Sequence, residues 1–80
     1  MTPADVARTA ADMTRPADGL RAVAALRRLA DTLELQQVEA ALRAGLGWLE
    51  IADALGVTRQ AVHKKYARRV PPGLVRTRRA

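Results

Sequence analysis

The sequence has no cysteine, a single histidine and only two aromatic side chains. The absence of cysteine excludes a disulfide framework and a cysteine-based zinc site. His63 alone cannot complete a metal shell, so we expect no structural metal and no cofactor. No nucleophile–base pair, carboxylate dyad or phosphate-binding glycine loop can be assembled from the remaining residues, and the sequence therefore does not predict an enzyme.

Long apolar segments are also missing. No run approaches the ~20 residues that span a bilayer, and the N-terminus lacks the apolar region of a signal peptide. We therefore expect a cytoplasmic protein without a membrane partner. A chain of 80 residues is expected to form one small domain whose core consists mainly of leucine, valine and alanine.

Acidic residues are absent from residues 56–80, although the rest of the chain has eight. Residues 1–55 carry a net charge of −2, whereas residues 56–80 carry +8. An excess of one charge at one end indicates a polyanionic partner, either nucleic acid or, as the second choice, an acidic membrane surface. A short basic segment can also serve only to keep a protein in solution.

Helix signals cover most of the chain and no strand-like alternation is visible, so the predicted fold is all-α. The Thr2-Pro3 pair and the stop at Pro16 predict a segment 1–17 that is a short helix or partly disordered. Asp18 is the predicted cap of a long helix over residues 18–45, which Gly45 ends. Two further helices over residues 46–70 and a basic tail over residues 71–80 complete the predicted organisation.

The apolar stripe of the long helix changes face near its middle. One stripe is Leu26, Leu29 and Leu33, and the other is Leu35, Val38 and Leu42. Either the helix breaks here, with Asp31 and Glu34 as a capping pair, or it continues and presents one stripe to the core and the other to a partner. We favour a continuous or merely kinked helix.

The first of these stripes suggests self-association. Three leucines at helical spacing would form an adhesive patch on so small a protein, and a second copy would cover Leu26, Leu29 and Leu33 symmetrically. The predicted oligomer is therefore a homodimer. The alternative is a monomer in which residues 2–13 fold back over these leucines.

The residues from Trp48 onward have the spacing of a helix-turn-helix. Ala52 provides the small side chain needed where two helices cross, and Gly56 tolerates positive φ in the tight turn. Thr58 is the predicted cap of the second helix, which extends to about Arg69. The apolar residues expected to anchor both helices in one core are Ile51, Leu55, Val57 and Val62.

The stretch Trp48–His63, of the form W-x-E-I-A-x-A-L-G-V-T-R-Q-A-V-H, resembles the helix-turn-helix of bacterial regulators, in particular region 4 of sigma factors. The resemblance covers a quarter of the chain, or half if Leu35–Arg43 is the supporting helix. It implies a sequence-specific transcriptional regulator with residues 59–69 in the major groove of double-stranded DNA. Gly47 and Lys65 depart from the usual pattern, and we expect Tyr66 to complete the core in place of Lys65.

The second helix can also be oriented from its own residues. Ala61, Val62 and Tyr66 define its inward side, and Trp48 is expected in the core. The predicted base-reading residues are Arg59, Gln60, His63 and Lys64. The predicted phosphate contacts are Thr58, Lys65, Arg68, Arg69, Arg76, Arg78 and Arg79. The last three either follow the DNA backbone or belong to a disordered tail.

The predicted partners are double-stranded DNA and a second copy of the chain, with RNA polymerase or another regulator as further candidates. Two alternative functions remain open. The chain could be a protein-interaction adaptor whose basic helix docks on an acidic partner or on RNA polymerase. It could also be a nucleoid-type protein that binds DNA without sequence preference and with strong salt dependence. The regulator and the nucleoid-type protein would both bind DNA, so either function predicts a cytoplasmic, nucleoid-associated protein.

Overall fold

The computed structural model describes residues 1–74, and every regular element in this part of the chain is helical. The elements are α1 (Pro3–Ala11), α2 (Pro16–Arg43), α3 (Trp48–Leu55), α4 (Arg59–Tyr66) and a short 3-10 helix (Pro72–Leu74). The all-α prediction is confirmed. None of the helices in the described part is long and apolar enough to cross a membrane. The chain divides into two compact units, Met1–Leu33 and Glu34–Ala80.

Helix α1 begins with a capping box, the local arrangement that satisfies free amides at a helix start. The Thr2 hydroxyl accepts a hydrogen bond from the Asp5 amide at 3.1 Å, and the Asp5 carboxylate accepts one from the Thr2 amide at 3.1 Å. Pro3 occupies the first helical position, where its missing N–H is not needed. The helix ends at Asp12, whose amide donates to the Thr9 carbonyl at 3.2 Å.

Helix α2 begins at Pro16 rather than at the predicted cap, Asp18. Proline has the φ of a helix and lacks only an N–H that the first turn does not use, so Pro16 starts the helix itself. Asp18 lies in the first turn, where its carboxylate accepts a hydrogen bond from the Arg21 guanidinium at 3.0 Å. Gly19 is buried, and an added Cβ would lie 3.6 Å from the Thr9 carbonyl of α1.

Within the first unit, residues of α1 lie close to the first turns of α2. Val6 and Ala22 both line a cavity of about 350 Å³ in this unit. Leu26 is half-buried, whereas Leu29 and Leu33 are 38% and 49% exposed. The folding of residues 2–13 over all three leucines, which we considered as the route to a monomer, is therefore not what α1 does.

Helix α2 continues through the point at which its apolar stripe changes face. Asp31 and Glu34 do not cap a new helix, because α2 is helical through both positions. The predicted continuous helix is therefore confirmed, and the alternative of a break is wrong. Its last ten residues, from Glu34, belong to the second unit.

Left-handed glycines end α2 and α3, as predicted for Gly45 and Gly56. Their φ angles are +94° and +73°, in the region that side chains disfavour. After α3, the Gly56 amide donates to the Asp53 carbonyl at 3.2 Å, and the Val57 amide donates to the Ala52 carbonyl at 3.0 Å. This pair of bonds is a Schellman motif, which satisfies two carbonyls of the final turn.

The core of the second unit is formed by the end of α2 together with α3 and α4. Its buried residues are Val38, Leu42, Ile51, Ala52, Val62, Tyr66 and Val70. Leu35 and Trp48 are partly buried against this cluster. The predictions that the second stripe of α2 packs on the helix pair and that Tyr66 completes the core are both confirmed, as is the burial of Ala52, which has 0% exposure.

Three residues assigned to the inward side of the helix pair lie at the surface instead. Leu55 is 38% exposed and Val57 is 47% exposed, and Ala61 is also exposed. The predicted anchoring by Leu55 and Val57 is therefore wrong. Both residues flank the left-handed turn, where the chain leaves α3, so they lie beyond the part of α3 that packs in the core.

Replacing Gly56 tests the energetic cost of this turn. An added Cβ at Gly56 would meet no heavy atom within 4 Å, so the cost is conformational alone. Gly56→Ala should lower the free energy of unfolding by about 1–2 kcal/mol, and Gly56→Val by more. Thermal and urea unfolding followed by circular dichroism would measure both changes.

Gly73→Ala is the matched control, because its Cβ also enters open space and its φ is not positive. That variant should leave stability within the ordinary surface range of about 0.5 kcal/mol. Equal losses in Gly56→Ala and Gly73→Ala would show that the left-handed conformation is not the source of the cost.

Candidate nucleic-acid interface

Helix α4 has a buried side and an exposed side. Val62 and Tyr66, one turn apart, are 2% and 1% exposed. All four predicted base-reading residues are exposed: Arg59, Gln60, His63 and Lys64. They lie together because burial of Val62 and Tyr66 fixes the rotation of the helix. The described residues thus place a set of hydrogen-bonding side chains on one accessible helix surface.

The start of α4 is defined by Thr58. Its hydroxyl oxygen accepts a hydrogen bond from the Ala61 amide at 3.1 Å, which confirms the predicted cap. The same hydroxyl retains a hydrogen that it can donate. No acidic residue lies in the first turn. An anion could therefore meet the Thr58 hydroxyl, the first-turn amides and the positive end of the helix dipole together.

Positive charge continues beyond α4. Arg68 and Arg69, both predicted phosphate contacts, follow the helix and are exposed. Pro71 and Pro72 come next in the chain, and the described residues end at Leu74. The other predicted phosphate contacts in the tail, Arg76, Arg78 and Arg79, lie outside the described residues.

Lys65 has a different setting from the other cations of α4. Its ammonium lies 3.2 Å from the Glu34 carboxylate and 5.2 Å from the centre of the Tyr66 ring. The Glu34 carboxylate raises the pKa of the Lys65 ammonium. Lys65 was predicted as a phosphate contact, and the structure places its charge beside an acid of α2.

Sequence reasoning named Glu34 only as half of a capping pair and missed its contact with α4. Its carboxylate accepts a hydrogen bond from the Tyr66 hydroxyl and contacts Lys65. The Tyr66 hydroxyl and then the Lys65 ammonium lower the pKa of the Glu34 carboxyl. Burial raises the pKa of the Tyr66 hydroxyl, and the Glu34 charge adds to this effect. The available signal was the position of Glu34 one turn before Val38, on the side of α2 that faces the core.

Trp48 and His63 form a side-chain contact between α3 and α4. Their ring centres are 5.2 Å apart and their planes meet at 82°, an edge-to-face arrangement. Trp48 is partly buried against the core, which agrees with its predicted role in packing. His63, at the exposed surface of α4, thereby has an aromatic neighbour that the sequence did not predict.

An apolar groove lies beside the basic surface. Leu55, Val57 and Ala61 line it together with Tyr66 and Lys65, and its volume is about 110 Å³. The groove is large enough for one aliphatic side chain. It exists because Leu55 and Val57 remain at the surface.

No group of three or more histidine, cysteine, aspartate or glutamate side chains in residues 1–74 is arranged to hold a metal ion. Comparisons of the chain with protein-family models, with curated proteins and with solved structures found no match.

The Glu34–Tyr66 hydrogen bond should make stability depend on acid pH. Because folding lowers the pKa of Glu34 from its ordinary 4.5, this contribution is complete above that pH and is lost as pH falls through the folded pKa. Tyr66→Phe should lower the free energy of unfolding by about 1–2 kcal/mol near neutral pH. The difference from wild type should shrink below pH 4.5. Urea unfolding at several pH values would measure it.

Glu34→Gln is the control for this assignment. In that background the carboxylate is absent, so Tyr66→Phe should show no loss of effect at acid pH. A Tyr66→Phe effect in the wild-type background that is equally large at pH 3 and pH 7 would contradict the role of the ionised Glu34 carboxylate.

Proposed function

We propose that the chain is a sequence-specific transcriptional regulator that binds double-stranded DNA at the nucleoid. In this proposal α3, the turn at Gly56 and α4 act as a helix-turn-helix, with α4 in the major groove. The observation that carries the proposal is the exposed surface of α4. It bears arginine, glutamine, histidine and lysine, while Val62 and Tyr66 anchor the opposite side.

The types of side chain on α4 suit base edges. Arginine can donate two hydrogen bonds to the O6 and N7 atoms of guanine, and glutamine can donate to and accept from adenine. Arg59 and Gln60 occupy the first turn, which enters the groove first in this mode of docking. His63 and Lys64 lie one turn later and extend the same surface.

Phosphate contacts would then fix the position of α4 in the groove. The Thr58 hydroxyl and the first-turn amides can bind one phosphate, and Arg68 and Arg69 can bind others. Lys65 can contribute where a phosphate competes with Glu34 for its ammonium. By their charge, the tail arginines Arg76, Arg78 and Arg79 are proposed to add further backbone contacts.

A homodimer is part of the same proposal. Helix α4 has eight residues and can contact only a few base pairs, so a paired half-site would supply the remaining specificity. Exposure of Leu29 and Leu33 supports self-association through α2. Leu26 is half-buried and would lie at the edge of this interface.

One observation favours a second function, that of a protein-interaction adaptor. The groove formed by Leu55, Val57 and Ala61 could accept an aliphatic side chain, and the exposed cations of α4, Arg59 and Lys64, could attract acidic residues of the same partner. An acidic partner protein or RNA polymerase would fit this description. A protein in the groove and DNA on α4 could bind at the same time only if their contact areas do not overlap.

Alanine substitutions at Arg59 and Gln60 test sequence reading. Selection of binding sites from random DNA by the wild-type chain should yield a preferred sequence. Each variant should then bind that sequence more weakly by about 1–3 kcal/mol and should lose selectivity at one or two base pairs. Fluorescence anisotropy at fixed salt, followed by repeated selection with each variant, would measure both effects.

Arg27→Ala is the matched control for Arg59→Ala, because it removes the same charge from an exposed position of the first unit. It should leave selectivity unchanged. A wild-type chain that binds all duplexes equally, with a steep salt dependence, would instead support the nucleoid-type function. Failure to bind duplex DNA would favour the adaptor.

Leu29→Glu tests the homodimer. Charge at this position should dissociate the dimer while the circular dichroism of the helices persists, because Leu29 is not part of the buried core. Leu20→Glu is the control: Leu20 is also exposed, but it precedes Leu29 by two and a half helical turns and therefore points to the opposite side of α2. Sedimentation velocity at micromolar concentration should show a monomer for Leu29→Glu alone. A monomeric wild-type chain would refute the dimer.

A further inference from the structure

The contact between Trp48 and His63 involves the only tryptophan and the only histidine of the chain. It joins the first residue of α3 to the middle of α4, with ring centres 5.2 Å apart. Trp48 is partly buried against the core, whereas His63 is exposed. One ring is thus anchored and the other is accessible to a ligand.

We infer that Trp48 is a positioning residue that holds the His63 imidazole in the orientation in which it contacts DNA. This inference rests on the proposed function and extends it to a residue that does not itself read a base. The geometry supports it, because an edge-to-face contact restricts rotation of the smaller ring while leaving part of its edge accessible.

The indole is itself held in place. It packs on the buried cluster of the second unit. The start of α3 is fixed by the Gly47 amide, which donates to the Glu50 carboxylate at 3.1 Å. Trp48 therefore gives His63 a stationary neighbour. The orientation of His63 therefore does not depend on another flexible surface side chain.

The other three base-reading residues lack such support. The side chains of Arg59, Gln60 and Lys64 form no hydrogen bond, ion pair or ring contact within residues 1–74. Each must be immobilised when DNA binds, which reduces affinity. His63 is already restricted, so its contact with a base is obtained with a smaller loss of side-chain entropy.

This difference predicts a selective effect of Trp48. Trp48→Leu should weaken binding to the preferred DNA site by about threefold to tenfold, the range expected when one more side chain must be immobilised on binding, and should leave binding to random DNA unchanged. Trp48→Phe should restore most of the affinity. In a His63→Ala background, Trp48→Leu should have no further effect on the preferred site, because the side chain that it positions is absent.

The free protein gives an independent readout. The indole ring current should shift the ring-proton NMR signals of His63, which are the only histidine signals of the chain. Trp48→Leu should move these signals to the values of a free histidine. Leu49→Ala, a change at the adjacent and 59% exposed position, should leave them in place. Circular dichroism and thermal unfolding of each variant would establish that it is folded.

The outcomes separate this inference from the proposed function. If the chain selects a DNA sequence but Trp48→Leu and His63→Ala act additively, or Trp48→Leu weakens random DNA equally, the positioning role is refuted and the function stands. Unchanged His63 signals in Trp48→Leu would also refute it. If the wild-type chain selects no sequence, the function is refuted, and with it the role of this pair in DNA binding.

Discussion

The second unit depends on the burial of one aromatic ring. Tyr66 is the largest side chain in this core that is almost completely buried, and its neighbours are mainly valine, leucine and alanine. A buried hydroxyl without a partner would destabilise the fold, so the ring can occupy this site only where an acceptor is available. The Glu34 carboxylate supplies that acceptor from α2. Burial of Tyr66 therefore fixes both the rotation of α4 and the side of α2 that faces it.

The exposed surface of α4 follows from this constraint. With Tyr66 and Val62 inward, Gln60 and Lys64 have no core to enter and must lie at the surface. Lys65 lies on the flank next to Glu34, where its charge is balanced by a carboxylate. Glu34 thus pairs with the cation on the flank of α4 and not with the proposed reading residues Gln60 and Lys64.

Local signals explain what could be predicted from the sequence. Gly45, Gly56 and Thr58 end or begin helices through hydrogen bonds to residues within one turn or so, and such bonds depend little on the rest of the fold. The spacing of Val38 and Leu42 likewise indicates a buried face whatever lies opposite. Asp18 failed as a predicted cap because Pro16 offers an equally local start two residues earlier.

Contacts between distant segments account for most of what was missed. Glu34 and Tyr66 are 32 residues apart, and no spacing rule relates a carboxylate on one helix to a hydroxyl on another. The exposure of Leu55 and Val57 depends on where α3 leaves the core, which is decided by packing and not by hydrophobicity. The Trp48–His63 contact has the same origin, since it arises only after Gly56 turns α4 back toward α3.

The first turn of α4 lacks the acidic residue that a helix N-terminus favours. The positive end of the helix dipole favours an acid in the first turn, as Asp5 provides in α1 and Glu50 in α3. In α4 that turn has no acid and begins with Arg59. The isolated helix is therefore electrostatically unfavourable at this end, and an external anion would relieve the conflict. Departures from local consistency of this kind are expected where a protein binds its partner, and under the proposed function that partner is the phosphate backbone of DNA.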